Sequence, residues 1–200
     1  MTRNPLRHVA SLIIAWPLLI SASSAWAQSA PIDARAADER PLADERFKRF
    51  AAAAVGPSVL VQTIGWAAIA QARDEPVEWG QDAKGYGKRF ASLVAQGVVQ
   101  ESVTYGLSEA LKVDSTFHKS QKHGFLPRAG DAMMQAVLSR RQNGHRVLSA
   151  PLLAGYTAGG MAMLSWYPAG YDYKDGFRYS GLALGLRGAM NLVREFTPLR

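Results

Sequence analysis

The sequence predicts an all-α fold, a compact bundle of about five to six helices with narrow glycine and alanine packing faces. Three observations lead to this prediction. Between residues 42 and 196 there is no convincing strand-like alternation of apolar and polar residues. The same region divides into segments of good helix formers bounded by capping residues, prolines and glycines. Glycines also recur inside these segments, and each costs about 1 kcal/mol relative to alanine in a helix, so they indicate close packing.

The N-terminus predicts a signal peptide over residues 1–27. Arg3 and Arg7 precede an apolar run that ends in Ala25-Trp26-Ala27, the small-x-small pattern that a signal peptidase reads. An uncleaved anchor is the alternative, but Pro17 and the serines near the end of the run make it short and polar for a membrane span. We therefore expect export to the cell envelope, either to the periplasm or to a membrane surface.

Residues 28–41 alternate Ala, Asp, Glu and Arg without an apolar period and predict a flexible leader. Residues 42–200 are then expected to form a single helical domain. The chain contains no cysteine. Disulfides, thiolate catalysis and cysteine metal sites are therefore excluded, and folding must depend on apolar burial.

The first half of the domain predicts three helices. The first covers residues 42–55 and ends at Gly56-Pro57, where Pro57 is suited to the first turn of a second helix over residues 57–72. Asp82 is a candidate cap for a third helix that runs over residues 83–112.

The second half begins with a polar connector over residues 113–124. A fourth helix is predicted over residues 126–141, with Asn143-Gly144 as its stop signal. An uncharged fifth segment covers residues 147–171, and a sixth helix closes the domain over residues 175–196.

Two glycine pairs predict helix-packing faces. Gly155 and Gly159 are four residues apart, and so are Gly181 and Gly185. Small residues at this spacing let two helix backbones approach closely, as in membrane helices and some soluble bundles. A second copy of the chain is one partner that such faces could take.

Two uncharged runs, residues 51–72 and 147–171, are long enough to cross a hydrocarbon core. Their alanines and glycines contribute little insertion energy, which favours membrane association over true spanning. Trp79, Trp166 and Tyr167 lie near the ends of apolar runs and are candidate interface anchors. The same rings would also serve as core anchors in a soluble bundle.

The chain is basic, with a formal net charge of +7. Residues 112–146 hold seven basic residues against two acidic ones. Because the protein is predicted to be exported, nucleic acid is not an expected partner. An anionic lipid surface is expected instead, with a solvated basic face as the alternative.

The stretch VEWGQDAKGYGKRF, residues 77–90, has the glycines and cations of a phosphate-binding loop. The spacing of Gly80 and Gly85 fits a Walker A loop, but Tyr86-Gly87 stands where Lys-Ser/Thr is needed, and no apolar strand precedes it. The stretch is therefore interpreted as the entry to a tightly packed helix.

In this interpretation Gly85 and Gly87 open a narrow helix face. Lys84, Lys88 and Arg89 are expected to point at solvent or lipid headgroups.

The sequence gives little indication of catalysis. Asp114, His118 and His123 are a weak candidate metal cluster, because neither an HExxH pattern nor the three- or four-residue histidine spacing of a helical site is present. The chain also lacks the GxSxG and SxxK motifs. No cofactor and no catalytic residue is assigned, and a non-enzymatic role is favoured over an enzymatic one. Glu101 and Arg187 interrupt apolar stretches of two helices and are a candidate structural ion pair.

The region from residue 75 to 196 resembles an uncharacterised family of exported bacterial proteins. Four short motifs carry the resemblance in order: Trp79-Gly80 with GYGKRF at 85–90, DSTF at 114–117, LSWYPA at 164–169, and NLVREF at 191–196. Ser115-Thr116 replaces the family's Pro-Arg, and Thr197 stands where Trp is usual. The resemblance implies an exported, helix-rich domain packed on small residues, and the family brings no established activity.

Taken from the sequence, the first interpretation is an exported helical protein with a structural or interaction role, associated with a membrane. One alternative is a soluble periplasmic bundle that binds a small apolar ligand in a cavity lined by methionines, among them Met133, Met134, Met161 and Met163. The other is an enzyme of unrecognised type.

Overall fold

The computed structural model describes residues 42–197. The predicted signal peptide (residues 1–27) and leader (residues 28–41) lie outside the described residues. The described part of the predicted domain is mostly helical, with its helices packed together and a small three-stranded sheet, which confirms the predicted helical fold class.

The helices begin and end close to the predicted positions in the first half of the domain and differ in the second. They are α1 (Ala43–Val55), α2 (Pro57–Ala72), α3 (Ala83–Leu111), α4 (Phe125–Met134), α5 (Ala150–Ala162) and α6 (Tyr173–Phe196). The strands are β1 (Val113–Asp114), β2 (Leu138–Arg141) and β3 (Arg146–Leu148), and short 3₁₀ turns cover Val77–Trp79 and Met163–Ser165.

Helix α3 is the centre of the bundle. It packs against α1, α2 and α5, while α6 packs against both α5 and α4.

Local sequence fixes where several helices begin. Asp82 caps α3 by accepting a hydrogen bond from the Gly85 N–H at 2.7 Å, as predicted, and Ser149 and Asp172 cap α5 and α6 in the same way.

The predicted fourth helix is wrong in its second half. Helix α4 ends at Met134, and residues 138–141 form strand β2, which pairs antiparallel with β3 and with β1 in the order β1-β2-β3. Asn143-Gly144 is the turn of the β2–β3 hairpin and not a helix stop, with Gly144 at φ +77°. Asn-Gly is a strong hairpin signal, so the sequence contained the evidence for this turn.

A series of hydrogen-bonded serine hydroxyl groups links the sheet to helices α3 and α5. Ser115 lies between Ser108 of α3 and Ser139 of β2, with oxygen–oxygen distances of 3.1 Å and 2.7 Å. Ser139 in turn donates to Ser149, the cap of α5. These bonds satisfy polar groups that would otherwise be buried without partners, and they fix the sheet at one end of the helices.

Candidate functional site

The stretch 77–90 is organised around Arg89, and the expectation that Arg89 points at solvent is wrong. Its side chain is 1% exposed. Its five N–H groups reach five acceptors: the backbone oxygens of Glu75, Pro76 and Gly80, at 2.6–3.0 Å, and the side-chain oxygens of Gln71 at 2.6 Å and Asp74 at 3.4 Å. Arg89 therefore ties the loop between α2 and α3 to the start of α3.

Gly85 makes room for this arrangement. A Cβ atom on Gly85 would come within 2.9 Å of Arg89 Nη1 and within 2.3 Å of the Gly80 oxygen. Gly87, which was expected to share this role, has open space around its own Cβ position. Lys84 and Lys88 are exposed, as expected.

Trp79 and Tyr167 contact each other edge to face, with ring centroids 4.9 Å apart, and Tyr167 also contacts Tyr171 and Tyr179. Trp166 is part exposed and donates through its ring nitrogen to Ser92 of α3 at 2.8 Å. Burial raises the pKa of Tyr171 to about 12, and Glu75 adds to the effect. These aromatic residues join the α2–α3 loop to the α5–α6 connection, which agrees with the core-anchor interpretation.

Asp114 and His118 are close together, with Oδ2 and Nε2 3.1 Å apart. Thr116 Oγ1 donates to Asp114 at 2.6 Å and also lies 3.1 Å from the same His118 nitrogen. Burial by itself would raise the pKa of Asp114, but the hydrogen bonds from His118 and Thr116 hold it well below its usual range. His123 is exposed and does not complete a metal-binding group with this pair within residues 42–197.

This arrangement fits neither a metal centre nor a nucleophile relay. Among residues 42–197 there is no group of three or more His, Asp or Glu side chains that could hold a metal ion. In a catalytic triad the carboxylate and the hydroxyl bind opposite ring nitrogens, whereas Asp114 and Thr116 share Nε2 of His118. We therefore interpret the cluster as a structural feature of the connector.

The Glu101–Arg187 ion pair is not formed in the described part of the chain. Arg187 donates from Nη2 to the Ser115 backbone oxygen at 2.6 Å, and Glu101 accepts from the neighbouring Gln100. Both charges act on Tyr156, whose pKa is raised chiefly by burial. Arg187 Nε and Asn191 Oδ1 are buried without a hydrogen-bond partner among residues 42–197.

The two glycine pairs have different surroundings. A Cβ on Gly155 would lie 2.0 Å from Thr104 Oγ1, and one on Gly159 would lie 3.0 Å from the Gln96 oxygen, so both glycines allow α5 to approach α3 closely. Gly181 and Gly185 lie on an exposed face of α6 with nothing within 4 Å of a Cβ. Packing through that second pair does not occur within residues 42–197, and self-association there stays a prediction.

On the α5–α6 contact the close approach is made by other residues. A Cβ on Gly160 would lie 2.2 Å from Ser180 Oγ and 2.5 Å from the Gly176 oxygen. Gly159-Gly160 is the only adjacent glycine pair in α5, and this pair is the sequence signal for the contact.

A small cavity beside strand β2 has room for about one water molecule. Its lining residues are mostly polar and include Asp114, Gln135 and Arg146. The methionines that were expected to line an apolar cavity are dispersed, since Met133 and Met134 are about half exposed while Met163 is 1% exposed.

The two uncharged runs also differ. Helix α5 buries six residues and belongs to the core. Helix α2 is apolar around most of its circumference, yet it buries Thr63 and Ala67 only. Apart from Ser58 in the first turn, its exposed residues follow a single helical face, which we call the α2 face: Pro57, Val61, Ile64, Ala68 and Ala72.

One helical stretch among the described residues, Ala43–Ala72, is long and apolar enough to cross a membrane by length and composition. It consists of α1 and α2 in succession, its most apolar window has a mean hydropathy of 1.5, and 22% of that window is buried. Core helices of soluble proteins also pass this test, but they are mostly buried, unlike this stretch.

No family model, curated protein or solved structure matches this chain. The family resemblance over residues 75–196 therefore stays a prediction.

Proposed function

We propose that this chain is an exported helical protein with a structural or interaction role, which associates with a membrane surface through the α2 face. The observation that carries the proposal is the exposure of an apolar helix face. Val61 is 55% exposed and Ile64 is 50% exposed, in a helix without a charged residue. A helix that is apolar all round is normally buried in protein or lipid.

Charged residues bound the apolar region. Residues 50–72 carry no charge, and Arg49 and Arg73 stand at the two ends. Long basic side chains at the ends of an apolar segment can reach the headgroup region while their stems cover apolar surface. This pattern supports lipid as the material that covers the α2 face.

Neighbouring helices favour association in the plane of the membrane over spanning. Helix α3 packs beside α2 and carries Lys88 and Glu101, which are separated by about 20 Å at 1.5 Å per residue. A hydrocarbon core is about 30 Å thick. If α2 crossed it, α3 would bring a charged side chain into the core, which is costly.

The alternatives have less support. A soluble bundle with an apolar ligand needs an apolar cavity, whereas the cavity beside Asp114, Gln135 and Arg146 has room for about one water molecule. An enzyme needs a reactive constellation, and the Asp114–Thr116–His118 geometry does not supply one.

Cell fractionation tests the proposal. We expect the mature protein to sediment with envelope membranes and to be released by alkaline carbonate, which extracts peripheral proteins. Recovery of the wild-type chain in the soluble fraction after osmotic shock would refute the proposal. Resistance to carbonate would refute the in-plane arrangement.

A matched pair of variants assigns the contact to the α2 face. The double variant Val61→Glu/Ile64→Glu is expected to shift the protein to the soluble fraction, because two carboxylates would have to enter the headgroup and acyl boundary. Val77→Glu is the control, since Val77 is 63% exposed but lies in the α2–α3 loop. If both variants stay on the membrane, the α2 face is not the contact.

A further inference from the structure

Helix α4 is amphipathic, but its polar side faces the protein interior and its apolar side faces outward. It buries Asp131 and Ala132, which are 3% and 0% exposed, and presents large apolar side chains to the outside. Phe125 is 64% exposed and Leu126 is 78% exposed. A surface helix of a soluble protein normally turns its apolar side toward the core.

Ion pairs on the inner side hold α4 in this orientation. The buried Asp131 carboxylate is paired with the Arg146 guanidinium and lies 3.2 Å from Lys122 Nζ. Arg128 donates to Glu195 of α6 at 2.8 Å, and that carboxylate is itself buried. Turning the apolar side inward would break these buried pairs, so the protein's own charges keep the apolar side outside.

The apolar surface extends from α4 to the end of α6. The Phe125 and Phe196 rings are stacked with centroids 4.8 Å apart. We define the α4 face as Phe125, Leu126, Met133, Met134 and Phe196, all of them exposed.

Cations surround the α4 face. Lys119 Nζ donates to the Thr197 oxygen at 2.8 Å, immediately after Phe196, and Lys122 reaches Asp131 on α4. The Arg128 guanidinium lies 5.0 Å from the centre of the Phe196 ring. We define the basic rim as these three cations, Lys119, Lys122 and Arg128.

Neighbouring acids cancel only part of the local charge. Asp131 pairs with Lys122 and Arg146, and Glu195 pairs with Arg128. Lys119 instead donates to a backbone oxygen, so four cations stand against two buried carboxylates. The exposed apolar residues are therefore bordered by positive charge, which is the complement of an anionic lipid surface.

From this geometry we propose that the α4 face and the basic rim form a second membrane contact that is selective for anionic lipid. Phe125, Leu126 and Met134 enter the boundary between headgroups and acyl chains, while the rim cations bind lipid phosphates. The inference rests on the proposed membrane association and adds to it the class of lipid.

Vesicle binding tests the proposal with the purified mature protein. Cosedimentation is measured with vesicles of phosphatidylcholine and with vesicles of phosphatidylcholine mixed with phosphatidylglycerol, at low and at raised salt. We expect tighter binding to the anionic vesicles, with the difference reduced by salt. Equal binding to both vesicles would overturn the lipid selectivity.

Two double variants locate the contact. Lys119→Gln/Lys122→Gln is expected to weaken anionic-vesicle binding by about 10- to 30-fold, since each lysine near such a surface contributes on the order of a fewfold to tenfold. Leu126→Gln/Met134→Gln is expected to weaken binding to a similar degree by removing the inserted side chains. Far-ultraviolet circular dichroism checks that both remain folded.

Matched controls keep the test specific. Lys84→Gln/Lys88→Gln makes the same charge change at exposed lysines of α3. Val77→Gln/Leu111→Gln removes two apolar side chains that are 63% and 53% exposed elsewhere. If the controls weaken anionic binding as much as the α4 variants do, the assignment to α4 is overturned.

Failure of this inference can be told from failure of the proposed function. Absence of binding to either vesicle overturns both. A third outcome is binding to phosphatidylcholine vesicles that does not increase with phosphatidylglycerol and that Val61→Glu/Ile64→Glu abolishes. This outcome overturns the α4 inference but supports the α2 face as the membrane contact. A dimer in solution that Leu126→Gln/Met134→Gln dissociates would show that a second copy covers the α4 face.

Discussion

Replacement of Arg89 by leucine should destabilise the protein strongly, because Arg89 has an acceptor for every N–H group of its guanidinium. Three of these acceptors are backbone oxygens of the loop between α2 and α3. Leucine fills part of the volume but leaves those oxygens without a partner in a buried place.

The magnitude follows from the hydrogen bonds. A hydrogen bond to a charged group contributes about 1.5–3 kcal/mol. The five bonds share one side chain, and water can reach part of the loop once Arg89 is gone, so the sum is an upper limit. We expect a loss of about 3–5 kcal/mol in the free energy of unfolding, the range seen when one partner of a buried charged pair is removed. Arg89→Lys should lose about 2 kcal/mol or more, because an ammonium has three donors and lacks the planar fork.

Urea denaturation followed by circular dichroism measures this loss. With a slope of about 2 kcal/mol per molar urea, a loss of 3–5 kcal/mol lowers the midpoint by about 1.5–2.5 M. Lys88→Leu is the matched control, because Lys88 is the exposed neighbour in the same helix, and it should change stability by about 0.5 kcal/mol or less. If Arg89→Leu is within about 1 kcal/mol of the wild type, the role assigned to Arg89 is wrong.

Three further predictions concern packing and pH. Gly155→Ala should destabilise the protein by about 1–3 kcal/mol, because its methyl group would meet Thr104 and a backbone oxygen of α3. Gly185→Ala should be neutral or stabilise the protein by up to about 1 kcal/mol. Thermal unfolding measures both effects. Gly85→Ala should likewise destabilise, since two backbone oxygens stand within 2.5 Å of the new methyl group, and Gly87→Ala, with open space, should not. The hydrogen bond from Arg146 holds the pKa of Asp131 well below its usual range. Its contribution to stability is therefore present above the unfolded-state value of about 4 and is lost as the pH falls from there through the lower folded-state value. Asp131→Asn should flatten the acid limb of a stability–pH curve.

Each of these predictions has an opposing result. Equal effects of alanine at Gly155 and Gly185 would mean that the α3–α5 approach is not as close as described. Equal effects at Gly85 and Gly87 would contradict the tight entry to α3. An unchanged acid limb in Asp131→Asn would show that other carboxylates govern acid unfolding.

The sequence alone was sufficient for much of the helical architecture. The break at Gly56-Pro57 and the cap at Asp82 are local signals, since the conformation of proline and the reach of an aspartate side chain involve only neighbouring residues. The α3 helix therefore begins where it was predicted. The same kind of signal was present at Asn143-Gly144 but was assigned to the wrong structure, because Asn-Gly serves both as a helix stop and as a hairpin turn.

Contacts between distant segments could not be predicted in this way. Asp131 and Glu195 take their partners from segments 15 and 67 residues away in the chain, and periodicity does not show which charge meets which. The same limit made Glu101 and Arg187 look like partners when Arg187 in fact reaches a backbone oxygen.

What the sequence by itself determined is the helical fold class, the lack of cysteine chemistry and two long uncharged runs. Only the tertiary structure decided that the run in α5 is core while the run in α2 stays exposed, and that α4 turns its apolar side outward. The physical reason is that composition fixes how much apolar surface a helix has, whereas its neighbours decide which part of that surface is covered. Arg89 shows the same difference. Its charge predicted a solvent-exposed side chain, but its five hydrogen-bond acceptors hold the guanidinium in the interior.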